Sequence, residues 1–495
     1  MSAAQHSLER RALSLGSAYA IEFGLQFLLP VVLTRALDPH SFGEYRLLWL
    51  AIATLLAIAP MCMPESLYYF LPRSTGARRR LYLNQALIFM VGAAAFSALA
   101  LSVWNPLLPG TMRAFVGEEG WVISAFALFW IFAVLLDVLP TVDERVGWQA
   151  RVIVSLAAIR ALSLSATAFL THELRDVLYV LVAFAACKAA LLVWYIVRHY
   201  GIAGPWAERG AYKEQMHQAA PFAASGALHG FRSQGDQWIV AALFTVPQFA
   251  AFSVSGVLAP VIQIFRQSVN HVFLPSMSRH EAEGNFGSML ALNSRANAMV
   301  GLLVFPMLLF GFVFARPLIS LIYTPQYLEA VPVLRVYTVG LLAYVVELTS
   351  ILFVLKQGTY CAKVMAVALA VALPTSYFGA LHFGLPGAAM GTVLAVYVER
   401  AISLTRISKL TGVPVARLQD WSTLAGLLAA AALASAAAGT ALSWAGLRPI
   451  ETLALGGAIM ALSYPVALLI TGQRKHLMSF IASIRHTEPE PAPIK

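Results

Sequence analysis

Charge is scarce in this chain. Only 12% of its 495 residues are Asp, Glu, Lys or Arg, while 59% are hydrophobic and the mean hydropathy is +0.73. A water-soluble domain carries about twice that share of charge, so an ordinary globular enzyme or binding module is excluded. Cysteine is nearly absent. Cys62, Cys187 and Cys361 lie far apart in or beside apolar segments, which leaves neither a CxxC site nor a disulfide framework. There is no Walker A sequence, no His-Glu-x-x-His, and no soluble stretch large enough for a nucleotide-binding domain. ATP hydrolysis therefore has no carrier, and neither a metal site nor an organic cofactor is expected.

What is present is a series of long apolar blocks separated by short polar or Gly/Pro-containing turns. A bilayer-crossing helix takes about 20 apolar residues, and on that measure the chain divides into about fourteen helices. The first six fall at residues 13–34, 46–71, 81–103, 121–139, 152–170 and 177–197. The next six fall at 220–244, 250–274, 298–319, 336–355, 364–381 and 388–404, and two more at 421–441 and 453–470. Arg10 and Arg11 before the first block imitate a signal peptide, but the apolar run continues to Thr34, so we read a retained first span.

The formal charge of +10 is unevenly placed. Arg78, Arg79, Arg80, Arg145, Arg198, Arg209 and most other basic residues fall on the side of the N-terminus, whereas the other side has few, among them Arg35, Arg46, Arg113 and Arg335. Such a bias sets orientation during insertion, so both termini are expected in the cytoplasm. It also explains the basic balance through anionic lipid rather than nucleic acid, which is not an expected partner. Residues 474–485 place Leu477, Met478, Ile481 and Ile484 near one helical face, as in a surface helix, and Glu488-Pro489-Glu490-Pro491 reads as a disordered tail.

Laying Phe42 onto Phe249 aligns Phe42-Gly43-Glu44-Tyr45 with Phe249-Ala250-Ala251-Phe252, each after the first span of a half. The repeat predicts an all-α integral membrane protein of two six-helix lobes plus a C-terminal helix pair. The expected bounds are an N-terminal lobe at 1–200, a cytoplasmic linker at 201–219, a C-terminal lobe at 220–405, the extra pair within 406–472 and a cytoplasmic tail at 473–495.

A charge inside hydrocarbon costs at least about 2.5–3.5 kcal/mol, so intramembrane ionisable residues mark cavities or paired contacts. Glu22 and Gln26 share a face of the first span, and Glu65 shares a side of the second with Tyr68 and Tyr69. Ser225, His229, Arg232 and Asp236 draw one polar stripe down the seventh, and Gln263, Arg266, Gln267 and Asn270 do so in the eighth. The polar load thus sits on the first two helices of each lobe, as around a central aqueous cavity. A structural reading stands beside the functional one. Arg232 and Asp236 at i,i+4 can neutralise each other, and Arg266, with no acid one turn away, needs a partner from another helix or a ligand. Asp137, Arg160, Lys188, Glu347, Glu399 and Arg400 read as capping, snorkelling or inter-helix pairs. Gly384-Leu385-Pro386-Gly387 reads as a close-packing helix start rather than a phosphate loop.

Leu37-Asp38-Pro39-His40-Ser41-Phe42-Gly43-Glu44-Tyr45 and Pro64-Glu65-Ser66-Leu67-Tyr68-Tyr69-Phe70-Leu71-Pro72-Arg73 carry a resemblance. With them the chain resembles the polysaccharide transporter and O-antigen flippase branch of the multidrug/oligosaccharidyl-lipid/polysaccharide (MOP) exporter superfamily. The resemblance implies a V-shaped, two-lobed carrier in a bacterial inner membrane, moving a lipid-linked oligosaccharide from the inner to the outer leaflet for cell-surface, lipopolysaccharide or exopolysaccharide assembly. It also implies membrane lipids, a glycan polymerase and glycosyltransferases as partners. Glu22 departs from the basic first helix usual in lipid II flippases of the superfamily, and it fits the first-helix acid of drug exporters.

The expected mechanism has Arg232 and Arg266 attract the diphosphate of a polyprenyl-linked glycan, with Tyr68, Tyr69, Gln263, Gln267 and Asn270 on sugar or phosphate oxygens. Glu22, Glu65, His229 and Asp236 are the candidates for ion coupling or the cavity wall, with Na+ or H+ as the ion. Two rivals stay open: a cation-coupled drug exporter and a membrane-bound glycan-processing enzyme.

Overall fold

The computed structural model describes residues 3–201, 204–474 and 478; the surface helix expected at 474–485, apart from Arg474 and Met478, and the tail beyond it lie outside them. All regular structure among the described residues is helical. The chain divides into two compact units, Met1–Ser253 and Val254–Lys495.

The first unit holds α1 (Ala3–Ala36), α2 (Pro39–Ile58), α3 (Met63–Phe70), α4 (Gly76–Ala100) and α5 (Gly110–Phe132). It continues with α6 (Leu135–Val142), α7 (Val146–Thr171), α8 (Leu174–Tyr200), α9 (Arg209–Leu243) and α10 (Val246–Val254). Within it α1 lies along α7, α5 packs between α4 and α8, and α9 packs on α2 and α3. The second unit holds α11 (Ala259–Ala282), α12 (Phe286–Val313), α13 (Ala315–Tyr323), α14 (Ala330–Ala343) and α15 (Thr349–Val354). The long α16 (Gly358–Thr411), α17 (Trp421–Leu442) and α18 (Pro449–Ile470) complete it. There α12 packs between α11 and α17, α14 packs on α16, and the terminal pair α17–α18 leans on α12 and α13.

Ten described helices are long and apolar enough to cross a membrane. The difference from about fourteen has physical causes. The polar stripes of α9 and α11 lower their hydropathy, α14 has only 14 residues, and α16 counts once although it bends at Gly384 (φ 67°, ψ −148°). Outward-facing side chains such as Leu170 (83% exposed) and Leu462 (76%) suit lipid rather than water.

The expected second span, 46–71, is two helices. Pro60 lacks an amide hydrogen, Met61 and Cys62 adopt left-handed φ of 46° and 52°, and the chain restarts as α3. Both copies of the repeated aromatic motif are buried in the first unit, where a Cβ on Gly43 would come within 2.5 Å of the Val246 carbonyl oxygen. At the α16 bend Gly387 abuts the Gly379 backbone and Gly391 abuts Ser376, contacts that leave no room for a side chain.

Candidate functional site

Five helices of the first unit surround a chamber of about 480 Å3. Gln26 comes from α1, Arg46 and Trp49 from α2, Trp130 from α5, Arg160 from α7, and Gln234 and Gln237 from α9; Leu29, Tyr45 and Leu56 fill the wall between them. The Arg160 guanidinium is 5.7 Å from both the Trp49 and the Trp130 ring centroids, and the two rings meet edge-on at 5.3 Å. Cation–π contact therefore holds this buried arginine where no carboxylate bonds it, and its Nε has no hydrogen-bond partner. The Trp49 indole N–H is likewise buried and unpartnered. Thr54 donates to Gln234 Oε1 at 2.6 Å and accepts from Trp238 Nε1 at 2.8 Å, which fixes α9 against α2 beside the chamber.

Behind Arg160 lies an ionic cluster. Lys188 Nζ donates to Asp137 Oδ2 at 2.9 Å and sits 5.0 Å from the Trp130 centroid, and Gln26 Nε2 donates to Glu22 Oε1 at 3.0 Å. Glu22, Asp137, Arg160 and Lys188 share a gap of about 30 Å3 with Trp130, enough for a water or two. Arg160 and Trp130 belong to both spaces, so the charge state of the cluster acts directly on the chamber wall.

The expected site residues are spread over both units. In the first, Glu65, Tyr68 and Tyr69 are exposed on α3, with the Arg73 guanidinium 3.7 Å from the Tyr69 centroid. On α9 His229 is exposed, Arg232 is half-buried and Asp236 is buried, its Oδ1 accepting the Gln237 amide at 2.8 Å. In the second unit Gln263 and Gln267 are exposed, and Asn270 is half-buried. Arg266 has a partner from another helix: its Nη1 pairs with Glu347 Oε2 at 2.7 Å. Glu347 in turn accepts the Ser350 amide, and its own amide donates to Asn297. Arg266 and Arg400 each lie 5.3 Å from the Tyr344 ring, and Arg266 Nε remains unpartnered. The inter-helix pairing expected of Asp137, Lys188 and Glu347 is present in these two ion pairs.

Sequence reasoning left out Arg46, Trp49, Trp130, Gln234 and Gln237. Arg46 reads as an outer-end residue only if the second span starts there; α2 begins at Pro39, which draws Arg46 two turns inside. The available signal was Trp130, a tryptophan in the middle of the 121–139 span and away from the interfaces where it usually sits. The second unit adds a cleft of about 670 Å3 with nearly all-apolar walls, between α14 and the bent α16, which offers little purchase to a polar head group.

A family model described as polysaccharide biosynthesis protein matches residues 32–332. Among solved structures, the inward closed conformation of the lipid II flippase MurJ superposes with a TM-score of 0.70 at 11% identity, covering 92% of this chain and 98% of that one. An inward-facing multidrug resistance MATE family transporter of the MOP superfamily superposes with a TM-score of 0.55 at 12% identity, covering 78% and 95%. At these identities the likeness is one of fold, and the proteins that share it are transporters and flippases rather than enzymes. No curated protein gives a significant sequence match.

Proposed function

Because this chain belongs to the family of polysaccharide biosynthesis proteins, we propose that it is a flippase for a polyprenyl-diphosphate-linked oligosaccharide repeat unit, carrying the head group from the inner to the outer leaflet by alternating access. The observation that carries this reading is the chamber itself. Its volume falls in the usual range for ligand sites, about 300–1,000 Å3. Its lining combines the three chemistries such a head group asks for. Tryptophan faces stack on the C–H faces of sugar rings, arginines bind phosphate oxygens, and glutamine amides read hydroxyls. The lipid tail stays in hydrocarbon throughout.

In this reading Arg232, Arg266, Tyr68, Tyr69, Gln263, Gln267 and Asn270 meet the cargo along its path. Arg266 does so through donors that Glu347 does not occupy. Glu22 is the coupling residue, since a proton or Na+ bound there changes the charge beside Arg160. His229, Glu65 and Asp236 are secondary candidates. The same Glu22 cluster favours the competing reading, a cation-coupled drug exporter; a deletion strain that is drug-hypersensitive with normal surface glycan would select it.

The test is translocation of a labelled polyprenyl-diphosphate oligosaccharide by the purified protein in proteoliposomes. Trp130→Ala and Arg160→Gln are expected to slow it at least about tenfold, with Trp130→Phe retaining most of the rate. Arg232→Ala with Arg266→Ala should abolish it while the protein still inserts. Wild-type translocation by the chamber variants would overturn the assignment.

A further inference from the structure

At one end of the first unit a second cavity, of about 430 Å3, shares no lining residue with the chamber. It is enclosed by the first turns of α4, which bring Arg79 and Arg80, by the α6–α7 connection with Asp143 and Arg145, and by the last turn of α8 with His199 and Tyr200. The only carboxylate among these residues is saturated. Asp143 takes Arg79 at 2.6 Å and the hydroxyls of Tyr195 and Tyr200 at 2.6 and 2.5 Å.

His199 joins this wall, its Nδ1 2.9 Å from the Tyr195 carbonyl oxygen and its Nε2 2.6 Å from Arg145 Nη1. Three guanidinium groups then face one carboxylate, leaving two positive charges in excess. Arg80 is only 7% exposed, and its Nε and Nη1 have no hydrogen-bond partner. Its stem is held in place by Gly204 (φ 142°), where a Cβ would come within 2.7 Å of Arg80 Cγ. Asn84 and Gln85 tie that loop to α4 through the carbonyls of Pro205 and Glu208, both at 2.8 Å. A buried guanidinium fork with idle donors, held rigidly in a cationic cavity, is built to receive oxygens arranged as in phosphate.

We propose that this cavity binds a phosphate group, carried either by an anionic membrane lipid or by a soluble phosphate compound. The four membrane-span candidates Gly76–Ala100, Gly110–Val142, Val146–Thr171 and Leu174–Tyr200 each have an end here, so a lipid head group at the interface is within reach. The site stands apart from the cargo reading and survives its failure.

The test uses the purified full-length protein in neutral detergent and follows its thermal midpoint against added phosphatidic acid, phosphatidylcholine and inorganic phosphate. The wild type is expected to be stabilised saturably by phosphatidic acid and not by phosphatidylcholine. Arg80→Gln and Arg145→Gln should each raise the half-saturating concentration at least about tenfold. Gly204→Ala should weaken binding with no charge removed, because it displaces the Arg80 stem. Midpoints without additive identify any variant that is merely misfolded, and the more exposed Arg145 supplies the second variant. Saturation by phosphatidic acid alone assigns the site to lipid, and equal competition by millimolar inorganic phosphate assigns it to a soluble compound. Unchanged saturation in both glutamine variants, or no saturable effect of either phosphate source on the wild type, would overturn the proposal.

Discussion

Asp38 sits between α1 and α2 and caps the second of them. Its carboxylate accepts from the amides of His40 and Ser41 at 2.8 and 3.2 Å and from the Ser41 hydroxyl at 2.6 Å, with Pro39 setting the first helical turn. Burial pushes its carboxyl up, but the bonds from Ser41 and His40 outweigh this and hold it below the ordinary aspartate range. A carboxyl depressed on folding stabilises the protein above its unfolded value, near pH 4, and loses that contribution as pH falls through its folded value. Asp38→Ala should therefore cost about 1 kcal/mol at neutral pH. Asp38→Asn should keep part of the cap and lose the acid-sensitive part, seen as a flatter thermal midpoint between pH 5 and 3 in detergent; an unchanged pH profile contradicts it. Glu347 poses the opposite case. It is 3% exposed and pairs with Arg266, so Glu347→Ala leaves an uncompensated guanidinium and should destabilise the second unit by about 3–5 kcal/mol. Adding Arg266→Met should recover much of the loss, which a double-mutant cycle measures.

Helices in this chain meet where side chains are missing. α9 approaches α2 so closely that a Cβ on Gly230 would lie 2.5 Å from the Ala57 Cβ. Gly230→Ala should cost about 1–3 kcal/mol by overpacking, and Ala57→Gly in the same protein should return most of it. Failure of that rescue in a thermal melt would mean that the contact does not limit the approach. The helices themselves were legible in the apolar periodicity, because hydrocarbon leaves the backbone few alternatives. Their bounds were less so. The split of the expected 46–71 span depends on left-handed Met61 and Cys62, residues that do not announce such a conformation, and Pro60 alone is as compatible with a kink as with a break.

For the whole molecule, the proposed transport of a diphosphate-linked head group would move negative charge outward. An interior-negative potential favours this by up to about 2.3 kcal/mol per charge per 100 mV. Imposing that polarity on proteoliposomes should speed export and reversing it should slow export; a rate indifferent to polarity would mean that no net charge crosses. The candidate site was legible only in part. Glu22 and Gln26 stood out as an intramembrane acid with an amide one turn on, and both border the first unit's polar spaces. Arg160 reads from sequence as a snorkelling or paired residue, because the rings that hold it come from α2 and α5, distant in sequence. Arg266 reads from sequence as needing a partner from elsewhere, but linear spacing has no means of naming Glu347 on a later segment.

The crossed indoles of Trp49 and Trp130 give the chamber an optical signature of its own. Their emission responds to the polarity and charge around the rings, so a sugar displacing water should shift and quench it. The difference spectrum between wild type and Trp130→Phe isolates that signal from the chain's other tryptophans. Occupancy of the chamber would then be followed in real time by intrinsic fluorescence, on unlabelled cargo and in native lipid.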